Sequence, residues 1–111
     1  MGVTTAISRH GITLPTDRIA EICQRYGVRE LSVFGSLLRD DFTPDSDIDF
    51  LVAFRDDDAG PWMGKLTRME DDLRTVLGRD VDLVPKESIL KSENWIRRDH
   101  ILRTARVIYG P

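Results

Sequence analysis

At 111 residues, 41% of them hydrophobic, the chain is long enough for one globular domain with a modest core and too short for two. Its formal net charge of −3 argues against an extensive nucleic-acid surface, which needs clustered lysine and arginine, and its apolar runs are too short to cross a bilayer. A single cysteine, Cys23, excludes an intramolecular disulfide, and the start MGVTTAISRHG lacks the apolar stretch of a signal peptide; a reducing cytoplasm is the expected compartment.

The chain is read as one domain over 1–111, with residues 1–15 as a flexible N-terminal segment. Thr16 to Tyr26 places Ile19, Ile22, Cys23 and Tyr26 on one helical stripe, with Thr16 able to cap and Gly27 placed to terminate. Glu30 to Phe34 (ELSVF) reads as a short strand ending at Gly35, and Leu37-Leu38-Arg39 as the first turn of a helix. Pro44, Asp45 and Ser46 form the turn that launches a second strand, Asp47 to Phe54. Arg55 to Gly60 (RDDDAG) is a polar loop whose acidic run is solvated. Pro61 to Leu77 is a helix with Trp62, Leu66, Met69, Leu73 and Leu77 on its apolar side, and Glu70, Asp71 and Asp72 with Arg68 and Arg74 on its wet face. Asp80 to Val84 (DVDLV) is a third strand stopped by Pro85. From Glu87 the tail reads as helical, burying Ile89, Leu90, Trp95, Ile101, Ala105 and Ile108. The expected fold class is α/β (α+β): a small mixed β-sheet with helices packed on one face and the acidic face open.

Most of the chemistry lies in GSLLRDDFTPDSDIDFLV, Gly35 to Val52. Strand alternation puts Asp47, Asp49, Leu51 and Ala53 on one face and Ile48, Phe50, Val52 and Phe54 on the other. Two carboxylates that close repel each other and need a cation, an arginine or water; a divalent metal fits best. Gly35 lets the backbone approach an anion, the following helix offers free amides, Ser36 adds a hydroxyl donor and Arg39 can balance phosphate charge. A third carboxylate comes from the DVDLV strand. Asp82, flanked by apolar residues, is the choice over Asp80, which sits at the strand entry beside Gly78-Arg79. Together the three could hold two metals roughly 4 Å apart, with Asp82 placed as a general base toward an incoming hydroxyl. This is the equipment of phosphoryl or nucleotidyl transfer. Cys23 reads as packed, and His10 and His100 show no partner spacing for a metal or a triad.

Gly35-Ser36, a ten-residue spacer, then Asp47-x-Asp49, with Arg39 in the spacer, Ser46 before the first aspartate and Val81-Asp82-Leu83-Val84 downstream, resembles the minimal nucleotidyltransferases of the polymerase-beta superfamily. The likeness extends from Thr16 through the tail RTARVIYG. It implies a polymerase-beta-like fold, Asp47, Asp49 and Asp82 as catalytic metal ligands, and Gly35, Ser36, Arg39 and Ser46 as nucleotide-binding residues. It implies ATP as substrate and two Mg²⁺ ions, with Mn²⁺ an alternative. Small members of that family are paired with a HEPN-type ribonuclease toxin, which they adenylylate on a tyrosine as the antitoxin, so a hetero-oligomer is expected. Two other classes stay open from the residues: a module that neutralises its partner by contact alone, and a small-molecule nucleotidyltransferase.

Overall fold

The computed structural model describes residues 8–9, 12–35, 46–55 and 62–110. Two short strands, β1 (Ser8–Arg9) and β2 (Ile12–Thr13), pair antiparallel within the segment read from sequence as flexible, and Leu14 behind them is buried. The helix α1 (Thr16–Arg25) follows, then strands β3 (Val28–Phe34) and β4 (Ile48–Phe54) and helix α2 (Trp62–Leu77). Strand β5 (Val81–Pro85), helices α3 (Lys86–Leu90) and α4 (Trp95–Thr104) and strand β6 (Arg106–Tyr109) complete the order. Pro15, not Thr16, occupies the cap position of α1, and no side chain bonds there. The turn of helix expected at Leu37-Leu38-Arg39 lies outside the described residues.

The main sheet has the order β5-β4-β3-β6. β4 runs antiparallel to β3 and parallel to β5, which makes the sheet mixed, as expected for the α+β class. The alternation read from sequence sets its faces. Ile48, Phe50 and Val52 of β4, with Val81 and Leu83 of β5, join Ile19, Ile22 and Cys23 of α1 and Met69 and Leu73 of α2 in the larger core. On the opposite face Phe34 and Leu51 pack with Ile89 of α3 and Ile101 of α4 in a smaller one. The acidic face is therefore roofed at one end by the C-terminal helices.

The tail departs from the helical reading. Asn94 caps α4 with its side chain, accepting from the Arg97 amide at 3.2 Å, so the helical phase restarts after α3. Ile89 and Ile101 stay on the buried face, but Leu90 and Trp95 fall off it and are exposed. Ala105 turns extended, and the β-branched and aromatic run Val107-Ile108-Tyr109 pairs with β3 instead of continuing a helix.

The acidic side of α2 is only partly a wet face. Glu70 accepts a hydrogen bond from the Leu83 amide at 2.9 Å and another from Arg74 at 3.0 Å, so a charged side chain satisfies a donor of edge strand β5. Asp72 accepts from the Tyr26 hydroxyl at 2.6 Å, joining α2 to the end of α1. Asp71 and Arg74 form an exposed pair of the ordinary kind.

Two consequences are measurable. Leu73→Ala removes a fully buried side chain and is expected to cost about 2–5 kcal/mol, read as a lower denaturant midpoint at unchanged m-value. Burial pushes the Cys23 thiol up to about 12, so it stays protonated at neutral pH. A thiol reagent is expected to leave the native chain unlabelled and to label it fully in denaturant.

Candidate active site

Asp49 is flanked on both sides by its neighbours in the sheet. In β3 its register partner is Phe34, the residue before Gly35; in β5 it is Asp82. Adjacent strands lie about 4.8 Å apart, and with Ile48, Phe50, Val81 and Leu83 all turned into the larger core, Asp49 and Asp82 point together to the other face. Asp49 is half-buried and Asp82 exposed. Two like charges directly opposite each other oppose folding by roughly 0.2–1 kcal/mol, a cost that a bound cation would reverse.

Gly35 stands at the end of β3 with φ of +73°, a left-handed conformation that L side chains disfavour. A Cβ there would run into the Asp49 carboxylate. The missing side chain at Gly35 leaves room for the Asp49 carboxylate.

Helix α4 supplies the facing wall. Arg97, His100, Ile101 and Thr104 fall at i, i+3, i+4 and i+7, one helical face, and line a cavity of about 420 Å³ whose other wall carries Gly35, Asp49 and Asp82. Phe34, Val84 and Ile101 give it an apolar lining. Thr104 donates its hydroxyl to the His100 carbonyl at 2.7 Å. The sequence pattern gives this helix no part in the site, because His100 has no partner spacing for a metal or a triad. The available signal was the Arg97, His100, Thr104 spacing, legible only once a helix capped at Asn94 is assumed.

Of the site residues expected from sequence, the structure brings Gly35, Asp49 and Asp82 to one cavity. Asp47 is exposed just ahead of β4 and does not line it. Ser46 precedes it, its carbonyl accepting from Arg79 at 3.1 Å, while the Ile48 amide donates to the Asp80 carbonyl at 3.1 Å; these bonds tie the entry of β4 to that of β5. Ser36 and Arg39 lie outside the described residues.

Among the described residues no three His, Cys, Asp or Glu side chains converge as a complete metal site. Asp49 and Asp82 nevertheless fit a hard divalent cation. Mg²⁺ is commonly held by one or two carboxylates and completed by substrate phosphates and water, and two adjacent carboxylates lining one cavity meet that requirement.

The nucleotidyltransferase domain model matches residues 17–107, a span that includes the acidic strands and α4. The chain belongs to the nucleotidyltransferase family. Over 69 residues it is 44% identical to the protein adenylyltransferase MntA of Thermococcus cleftensis, covering 62% of this chain and 67% of that one. A toxin–antitoxin complex solved with AMP-PNP contains a chain that superposes with a TM-score of 0.66 at 19% identity, over 88% of this chain and 75% of that one. A chain from the complex of a tri-AMPylated Shewanella oneidensis HEPN toxin with its MNT antitoxin gives 0.58 at 20% identity, over 86% and 70%. At these identities the two structures establish a shared fold. With the family established, the paired aspartates belong to a nucleotidyltransferase.

Gly35→Ala tests the seat of Asp49. It is expected to lower stability by roughly 1–2 kcal/mol through the left-handed backbone alone and to impair catalysis further by displacing the carboxylate. Thermal melts and turnover measured together check both.

Proposed function

We propose that this nucleotidyltransferase moves AMP from ATP onto a tyrosine hydroxyl of a HEPN-type ribonuclease toxin, forming a hetero-oligomer with it in the cytoplasm and acting as its antitoxin. The observation that carries the catalytic reading is the parallel register of Asp49 with Asp82 at the mouth of a cavity large enough for a nucleotide. The acceptor is supported by the relatives: an adenylyltransferase acting on protein in one case and an AMPylated HEPN toxin in another. Among the described residues no helix is long and apolar enough to cross a membrane.

In this reading Gly35 and Ser36 receive the β and γ phosphates, Arg39 offsets charge on the triphosphate, and Ser46 helps fix the entry to the acidic strand. Asp47, Asp49 and Asp82 would hold two Mg²⁺ ions, which neutralise phosphate charge and lower the barrier to displacement. Asp82 takes the proton of the incoming tyrosine hydroxyl. The tyrosine oxygen forms a bond to the α-phosphorus as the bond from that phosphorus to the α–β bridging oxygen breaks. That electron pair leaves with pyrophosphate, and the acceptor keeps the AMP. The apolar lining from Phe34, Val84 and Ile101 suits an aromatic acceptor better than a sugar.

Intact-mass measurement of a HEPN toxin incubated with this chain, ATP and Mg²⁺ is expected to show a gain of one or more AMP units. Asp49→Asn with Asp82→Asn is expected to abolish that gain in a chain that still folds, because the larger core behind both strands is untouched. A folded double variant with undiminished transfer would overturn the assignment.

A further inference from the structure

The cavity has two walls of opposite chemistry. One is the carboxylate pair; the other is the α4 face carrying Arg97 and His100. The remaining cations of α4 are engaged locally. Arg98 reaches the Ser92 carbonyl at 3.4 Å and Arg103 pairs with Asp99 at 3.3 Å. The backbone amide of Arg97 is taken by the Asn94 cap, but its guanidinium makes no ion pair or hydrogen bond among the described residues, with Asp49 and Asp82 lining the same cavity.

A guanidinium with no partner among the described residues, lining the same cavity as two carboxylates, suits a group that both walls attract. A bare cation satisfies only the acidic wall, and a bare anion only Arg97. A phosphate carrying its own divalent cation satisfies both, the cation toward Asp49 and Asp82 and the non-bridging oxygens toward the planar fork of the arginine. We infer that Arg97, with His100 one turn on as a second donor, binds the phosphoryl group being transferred, from the wall opposite the carboxylates. The inference rests on the proposed nucleotidyl transfer and adds residues that the Gly-Ser and Asp-x-Asp pattern does not contain. Charge that builds on the phosphoryl oxygens during displacement then meets the guanidinium and the imidazole, and donors placed where charge develops are worth roughly 100-fold or more in rate.

Binding of ATP with Mg²⁺ to the isolated chain by calorimetry, together with AMP transfer to the toxin, tests this in Arg97→Ala, Arg97→Lys and a control, Arg103→Ala. Arg97 is exposed, so the variants are expected to melt like the parent. The expected result is affinity weakened about tenfold and turnover roughly 100-fold in Arg97→Ala. Arg97→Lys is expected to recover much of the affinity and little of the turnover, because charge is kept and the fork is lost. Arg103→Ala is expected to match the parent in both. Parent-like binding and turnover in Arg97→Ala, with transfer abolished in the Asp49, Asp82 double variant, overturns the assignment of Arg97 alone. A parent chain that neither binds ATP nor transfers AMP overturns this inference and the proposed function together.

Discussion

The site depends on one pairing, Asp49 beside Asp82 on neighbouring parallel strands, and that pairing is unfavourable when taken by itself. What enforces it is the reverse face of the same two strands. Ile48 and Phe50 are fully buried and Val81 and Leu83 nearly so, each strand burying roughly 1.5–3 kcal/mol per large side chain. A slip of one residue would turn these apolar groups to solvent and the carboxylates into the core. The larger core thus holds the two charges together at a cost far below what it contributes.

The same register has to be defended at the sheet edge. β5 is the last strand on its side, and Glu70 and Arg74 of α2 bond along it, the former to the Leu83 amide and the latter at 3.4 Å to the Val81 carbonyl. These contacts bracket Asp82 on either side in sequence. The charged face of α2 thereby occupies backbone groups that another strand could otherwise use, and it fixes the strand that carries the second carboxylate. Arg79 does the same at the strand entries, through the Ser46 carbonyl.

Helix α4 makes an acidic ledge into a cavity. Its position follows from Ile101, anchored with Phe34, Leu51 and Ile89 in the smaller core, and its rotation follows from the Asn94 cap. Once Ile101 points inward, Arg97, His100 and Thr104 must line the space above the carboxylates. The short strand β6 then draws the chain back to β3 and closes the sheet on its other edge, so the helix is tethered at both ends.

Local periodicity determined much of this protein from sequence alone. Alternation in IDFLVAF placed Asp49 opposite the core, and the stripes of α1 and α2 identified Ile19, Ile22, Cys23, Met69 and Leu73 as buried. These follow from repeats of 2.0 and 3.6 residues, which need no knowledge of neighbours. Only the tertiary structure decided that Asp49 and Asp82 are register partners, that Gly35 seats Asp49, that Glu70 serves a strand, and that α4 forms the second wall. It also decided that the tail breaks at Asn94 and ends as a strand, exposing Trp95. Each of these is a relation between segments far apart in the chain, and pairing energy across such distances is set by which surfaces meet, a quantity that no window of adjacent residues contains.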